Sequence, residues 1–389
     1  MPKSESLEIL FITLLKESIS LLEERSYDLG LNKAFEAYFL LEQHKEIDVS
    51  IENQLETYIV LATFHSKTGN PQEGKILLQR ALLISEGKIS QNYLGRIYSL
   101  LAQFEILVSE LDSALEHFEK AIENYEEVKN SIDLMKTLGN KAILLDMMGK
   151  RSEALETYIK VSTFFSENAY DVLHIIALIH IANIFEVMGS YRSSIANLSI
   201  AATLLSNNLN FPLQSRIKAN LAYLYLLLGD KEASNEYLEL ARLDLEKTTN
   251  DDMNTVYFNI YKSEILKYNL QYQDAYKLAL HTLEITEKNQ FQGLTIQTCI
   301  DLANISLHLK NIESSEEYLN KAISLSHSNV YKTFMVNIYH TFAMLSNAKS
   351  ELENALMYCT LGIEEARRQN LNPVLDELTE LKKTLLSKK

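Results

Sequence analysis

The sequence predicts an all-α protein, a solenoid of about nine antiparallel helix pairs. Three observations predict it. Helix breakers are scarce, with 4 Pro and 11 Gly in 389 residues, and alternating β-type runs are few. Small side chains recur every 40 or 41 residues along the chain. A turn-prone position falls between two such ladders in each interval.

The first ladder is Ala34, Gly74, Ala114, Ala154, Ser194, Ser234, Ala275, Ser315 and Ala355. A second runs twelve residues earlier in each unit: Ala62, Ala102, Ala142, Ala182, Ala222, Ser263, Ala303 and Ala343. A third lies seven residues after the first: Leu41, Ala81, Ala121, Val161, Ala201, Ala241, Thr282, Ala322 and Gly362. Between the second and first ladders stand Gly69, Gly149, Gly189 and Gly229, with Ser109, Leu270, Lys310 and Ser350 in the other units. Each unit therefore reads as helix, tight turn, helix. Glycine past a helix end takes the left-handed conformation that closes it. Asn70, Pro71 and Asp230 suit the start of the helix that follows. Small residues on facing helices allow an interaxial distance of ~8–10 Å. A single hairpin cannot bury both of its apolar faces, but stacked hairpins can.

The array is expected over residues 5–370, and residues 371–389 as a C-terminal capping helix with proline in its first turn and a basic end. The first unit, 5–46, diverges most: Leu22 replaces the small residue and Gly30 lies near the expected turn. No linker rich in Gly, Pro or Ser marks a second domain.

A net charge of −15 disfavours non-specific binding to nucleic acid or to an anionic membrane. The longest apolar run, LAYLYLLLG from Leu221, is far too short to span a bilayer. The N-terminus does not read as a signal peptide. Cys299 and Cys359 do not make a disulfide framework, and reduced thiols in a cytoplasm are the simpler expectation. Phosphate-loop, dinucleotide and zinc motifs are absent from the sequence. His174 and His180 are spaced so as not to share a helical face, and His327 and His340 fall on different helices, so no metal and no cofactor is expected. Cys359 reads as a buried packing thiol and Cys299, on a first helix, as the more exposed of the two. Acidic runs such as EHFEKAIENYEE read as solvated second-helix faces. The expectation is a protein that is not an enzyme.

These spacings resemble the tetratricopeptide repeat, although the units are 40 rather than 34 residues long and lack that family's tryptophan and most of its proline. The 40-residue form is similar to the arrays of bacterial peptide-sensing regulators of the Rap and PlcR-like group, and to LGN-type and kinesin-light-chain scaffolds. The resemblance implies a right-handed superhelix whose first helices line a concave groove, with second helices on the convex side. Family positions that point into that groove fall here on Arg96, Lys136, Arg216 and Tyr257, on Asn140, Asn220 and Tyr261, and on Asn183, Tyr223 and Asn304.

Those residue types suit an extended peptide. A carboxamide both donates and accepts, so one Asn can engage a peptide unit at two points. Arg and Lys pair with acidic side chains or a terminal carboxylate. Tyrosine supplies apolar area with a polar tip. The resemblance implies that Asn140, Asn183, Asn220 and Asn304 hold peptide backbone. The leading expectation is a cytoplasmic, bacterial protein- or peptide-binding scaffold or adaptor, with its ligand between about repeats three and seven and carrying acidic groups. The alternatives are a Rap- or PlcR-like signalling regulator, or a sensory or assembly partner of a kinase or cyclase acting in trans, with self-association through an open solenoid end. The regulators carry an N-terminal output module, whereas here repeats start almost at Met1.

Overall fold

Ala62, Ala102, Ala142, Ala182, Ala222, Ala303 and Ala343 have no exposed surface, and neither do Ala114, Ala154, Ser194, Ala275, Ser315 and Ala355. Ala81, Ala121, Ala201, Ala241 and Ala322 of the third ladder are equally buried, so all three ladders are lines along which helices touch. The computed structural model describes residues 3–24, 26–44, 47–85, 89–206, 210–247, 252–326 and 333–387. The described residues form nineteen helices, and no strand occurs among them. His327, Lys388 and Lys389 lie outside the described residues. The chain divides into two compact units, Met1–Leu144 and Leu145–Lys389.

The first unit holds α1 (Lys3–Glu23), α2 (Tyr27–Gln43), α3 (Ile51–Lys67), α4 (Pro71–Ser85), α5 (Gln91–Leu107), α6 (Leu111–Glu127) and most of α7 (Ser131–Met147). Its core runs through Phe11, Leu55, Leu61, Phe64, Leu78, Ile97 and Leu101. Close approach explains Gly74. A Cβ there would lie 2.8 Å from the Ala62 carbonyl oxygen and 2.2 Å from Cε1 of Phe104. Gly30 sits in the first turn of α2, near the α1–α2 turn but not in it, and a Cβ would lie 2.3 Å from the Phe64 ring. The glycine makes room for an aromatic ring, and the turn between α1 and α2 lies ahead of it.

The second unit continues with α8 (Arg151–Glu167), α9 (Asp171–Val187), α10 (Tyr191–Leu205), α11 (Phe211–Leu227), α12 (Lys231–Leu245) and α13 (Asp252–Tyr268). It ends with α14 (Tyr272–Lys288), α15 (Gln292–His308), α16 (Ile312–Leu325), α17 (Met335–Ala348), α18 (Leu352–Arg368) and α19 (Asn372–Leu386). Of the ladder serines, Ser194 Oγ donates to the Ala182 carbonyl at 2.8 Å, whereas the buried hydroxyls of Ser234, Ser263 and Ser315 have no partner among the described residues. Cys299 is fully buried, against expectation. It stands four residues before Ala303, on the same face of α15, and that face is turned into the core shared with α16.

The turns obey one rule. Gly69, Gly149, Gly189 and Gly229 have φ between +77° and +84°, and Ser109, Leu270, Lys310 and Ser350 adopt the same hand at +61° to +68°. At Gly229 the amide donates to Leu226 O and the next amide, Asp230 N, reaches back to Tyr225 O, both at 2.9 Å. That pattern satisfies carbonyls a helix end leaves free. Asp230 then caps α12 by accepting from Ala233 N at 3.0 Å.

Candidate functional site

Helical periodicity puts the candidate residues on the first helix of each pair, on a face away from the small-residue ladder. Arg96, Lys136 and Asn140 belong to the first unit; Asn183, Arg216, Asn220, Tyr223, Tyr257, Tyr261 and Asn304 belong to the second.

In the first unit the expected free cations have partners. Arg96 on α5 grips Glu56 on α3 at two points, Nη1 to Oε2 at 2.6 Å and Nη2 to Oε1 at 2.9 Å. Burial alone would lower the Arg96 pKa, but the hydrogen bond and charge of Glu56 raise it. The two residues hold the same ladder position in consecutive units, so the pair staples one unit to the next. Lys136 Nζ lies 3.3 Å from Asp133 on its own helix and is exposed, a pair that contributes little in solvent. Asn140 is half-buried and makes no side-chain hydrogen bond among the described residues.

In the second unit Arg216, Asn220, Tyr223, Tyr257 and Tyr261 pair with one another across α11 and α13, whereas Asn304 pairs elsewhere and Asn183 has no hydrogen bond or ring contact with them among the described residues. Asn220 on α11 is 3 % exposed and donates from Nδ2 to the Tyr261 hydroxyl on α13 at 2.7 Å. Its Oδ1 is buried with no partner among the described residues. The rings of Tyr223 and Tyr261 stand 6.0 Å apart. Arg216, one turn before Asn220, stacks on Tyr257 with its guanidinium carbon 3.7 Å from the ring centre. No carboxylate lies within ion-pair distance of Arg216 among the described residues. Asn304 on α15 accepts from Thr341 on α17 at 3.0 Å. Asn183 on α9 is half-buried and makes no side-chain hydrogen bond among the described residues.

Ionisable groups that the sequence reading passed over complete this face. Glu186 on α9 has its carboxyl pushed up to about 7, first by desolvation and then by Glu264, against the opposing pull of Asn220 and Arg216. Part of its surface still reaches water, so it lies in a crowded recess rather than a sealed core. Lys267 on α13 bridges Glu264 at 2.5 Å and Asp301 on α15 at 3.6 Å. Desolvation and Glu264 hold Asp301 above the usual carboxylate range despite Lys267. Desolvation, then the nearby Glu264 and Glu186 carboxyls, drive the Tyr223 hydroxyl well above its ordinary value. For Tyr261 the causes are desolvation and then Glu186. His180, stacked on Tyr158 with ring centres 4.9 Å apart, is held neutral near 4 by burial and by Arg216. Each of these residues could have been reached by counting from the ladders. Glu186 and Lys267 fall four residues after Ala182 and Ser263, Glu264 one after Ser263, and Asp301 two before Ala303.

The face therefore offers, among the described residues, an orphan amide oxygen, a guanidinium without an ion-pair partner, tyrosine walls and carboxyls whose pKa burial raises. Among the described residues no group of three His, Cys, Asp or Glu is placed to hold a metal ion, and no helix is long and apolar enough to cross a membrane. Elsewhere, α1 and α2 expose Leu10, Phe35 and Phe39 around an apolar cleft of about 430 Å³.

Models of the tetratricopeptide repeat match residues 93–167, and residues 215–241 with 296–329. These stretches carry the ladders and turns described above. Over these stretches the chain matches the tetratricopeptide repeat family. Among solved structures the chain is similar to aspartyl phosphate phosphatase F from Bacillus subtilis, with a TM-score of 0.60 and 11 % identity over 85 % of this chain and 96 % of that one. It is similar to the Rap conjugation gene regulator of plasmid pLS20 in complex with the Phr* peptide, with a TM-score of 0.57 and 12 % identity over 84 % and 97 % of the two chains. It is also similar to a Rap protein complexed with competence and sporulation factor, with a TM-score of 0.51 and 12 % identity over 98 % and 100 %. At such identities the shared property is the fold. No curated protein matches the sequence significantly.

Proposed function

We propose that the chain is a non-catalytic scaffold that captures an extended protein or peptide segment on the face formed by α9, α11, α13 and α15. The observation that carries this reading is Asn220, nearly fully buried with its amide oxygen unpartnered. A buried, unmatched acceptor costs on the order of 1–3 kcal/mol, a cost that a ligand N–H would remove. Arg216 offers one place for a carboxylate of the segment. Carboxyls outnumber cations around it, since Glu186, Glu264 and Asp301 face Arg216 and Lys267. A segment that also brings a basic group is therefore favoured over a purely acidic one. Two of the similar structures hold a Phr* peptide and competence and sporulation factor, which supports a peptide as the occupant here and keeps a signalling role as the second reading. The test is a double substitution, Asn183→Ala with Asn220→Ala. Segment capture should weaken while helicity is unchanged; full retention of capture would overturn the proposal.

A further inference from the structure

The end of the second unit returns to its beginning. Arg151, the first residue of α8, is 6 % exposed and donates from Nη1 to the backbone oxygen of Gln369 at 2.8 Å and to its Oε1 at 3.2 Å, across 218 residues of sequence. Arg151 Nε lies 3.1 Å from Asp146 Oδ1, yet neither atom has a hydrogen-bond partner. The well-aligned contacts of this buried guanidinium thus go to Gln369. A second contact lies beside it. Asn372 Nδ2, at the start of α19, donates to Met188 O at 3.2 Å.

Glycine marks both landing points. A Cβ on Gly149 would lie 3.3 Å from Gln369 Cγ, and one on Gly189 would lie 3.2 Å from Pro373 Cγ. Four other hairpins make the same positive-φ turn with Ser109, Leu270, Lys310 or Ser350. The turn itself therefore accepts a side chain, and Gly229 makes it with open space above. What sets Gly149 and Gly189 apart is that the space above the turn is taken by residues 369–373. Beyond this contact α19 packs against α17, the helix whose Thr341 holds Asn304 of the candidate face. Glu377 lies 3.6 Å from His340 of α17. Its carboxyl is raised by desolvation and by Glu264, against the attraction of Lys267.

We infer that residues 369–373 are a clasp that closes the second unit on itself, and that its release admits a segment to the face bearing Asn220 and Tyr223. The gating rests on the reading of that face as the binding site; the closure does not. Turn-to-turn hydrogen bonds hold the clasp. It is poised to open when a ligand stabilises the open form.

The test needs no ligand. Cys299 and Cys359 are fully buried, so a Tyr223→Cys variant carries one reactive thiol on the candidate face. Its alkylation by a polyethylene-glycol maleimide is followed with the clasp intact and with Arg151→Met plus Asn372→Ala, which remove the donors but keep the buried stem. Release should raise the rate about tenfold, as expected when a minor open state becomes populated. Hydrogen exchange of α19 should quicken while that of α3–α6 stays unchanged. Equal alkylation rates together with equal α19 exchange would overturn the clasp. Faster exchange with an unchanged alkylation rate would overturn the gate. Loss of peptide capture in Asn220→Ala bears only on the binding reading. A clasp that opens in a protein that captures no peptide would separate the two.

Discussion

Replacing Glu186 by Gln should change how stability depends on pH, in a direction fixed by the site. Burial and Glu264 move this carboxyl from 4.5 to about 7 in the folded chain. Between those values the folded state holds the proton more tightly than the unfolded state. Stability from this group is therefore full below the unfolded value and is lost as pH rises towards the folded one. At about 1.36 kcal/mol per pKa unit, and with water still reaching the side chain, the loss is on the order of 2–3 kcal/mol. Gln keeps the shape and carries no charge, so the two proteins should be equally stable near pH 4 and the variant more stable at about pH 8. His180 and His340, both lowered to about 4 chiefly by burial, titrate in the opposite sense. They are common to both proteins and cancel in the difference. The assay is urea unfolding read by hydrogen exchange of α9 and α11 amides, because a repeat array can unfold in parts. A stability difference that is flat from acid to alkaline pH would refute the assignment of Glu186 to a crowded recess.

Other consequences are independent of ligand. Gly74→Ala should destabilise the first unit by about 1–3 kcal/mol, because Phe104 is a buried ring that must move; unchanged urea unfolding would contradict this. Leu270→Gly should stabilise the second unit by roughly 0.5–1 kcal/mol, since a side chain at φ +61° that is 72 % exposed loses strain and little contact. A fall in stability would show that Leu270 packs. The Cys299 thiol, raised by burial to about 11, should react with a disulfide reagent far more slowly in the native protein than in urea; rapid native labelling would show that α15 opens readily.

Much of the fold was legible because packing is periodic. The ladders Ala62 to Ala343 and Ala34 to Ala355 are buried, and the turn positions are left-handed whether glycine or not. The role of Gly30 was not legible, because a glycine that admits a neighbouring ring looks the same in sequence as one that turns the chain. The site was legible in part. Counting from the ladders reached Asn220, Tyr223 and Tyr261, which meet across α11 and α13. It did not show that Glu56 takes the charge of Arg96, because pairing across units depends on distance rather than on spacing. Glu186 was overlooked because a carboxylate in an acidic chain carries no signal until its burial is known. The contact of Arg151 with Gln369 has no local pattern at all, since it joins turns 218 residues apart.

The claim at the centre is that carboxamides and tyrosines on the first helices of the second unit hold an extended segment. Peptides selected from a phage-displayed library against the whole chain should be titrated by calorimetry into the wild type and into Asn183→Ala/Asn220→Ala. They should also be titrated into Asn197→Ala/Asn235→Ala, on the second helices α10 and α12. The account predicts that affinity falls by about tenfold or more, roughly 1.4 kcal/mol, only in the first-helix pair, with circular dichroism unchanged. Equal affinity in all three proteins, or loss only in the second-helix pair, would contradict it.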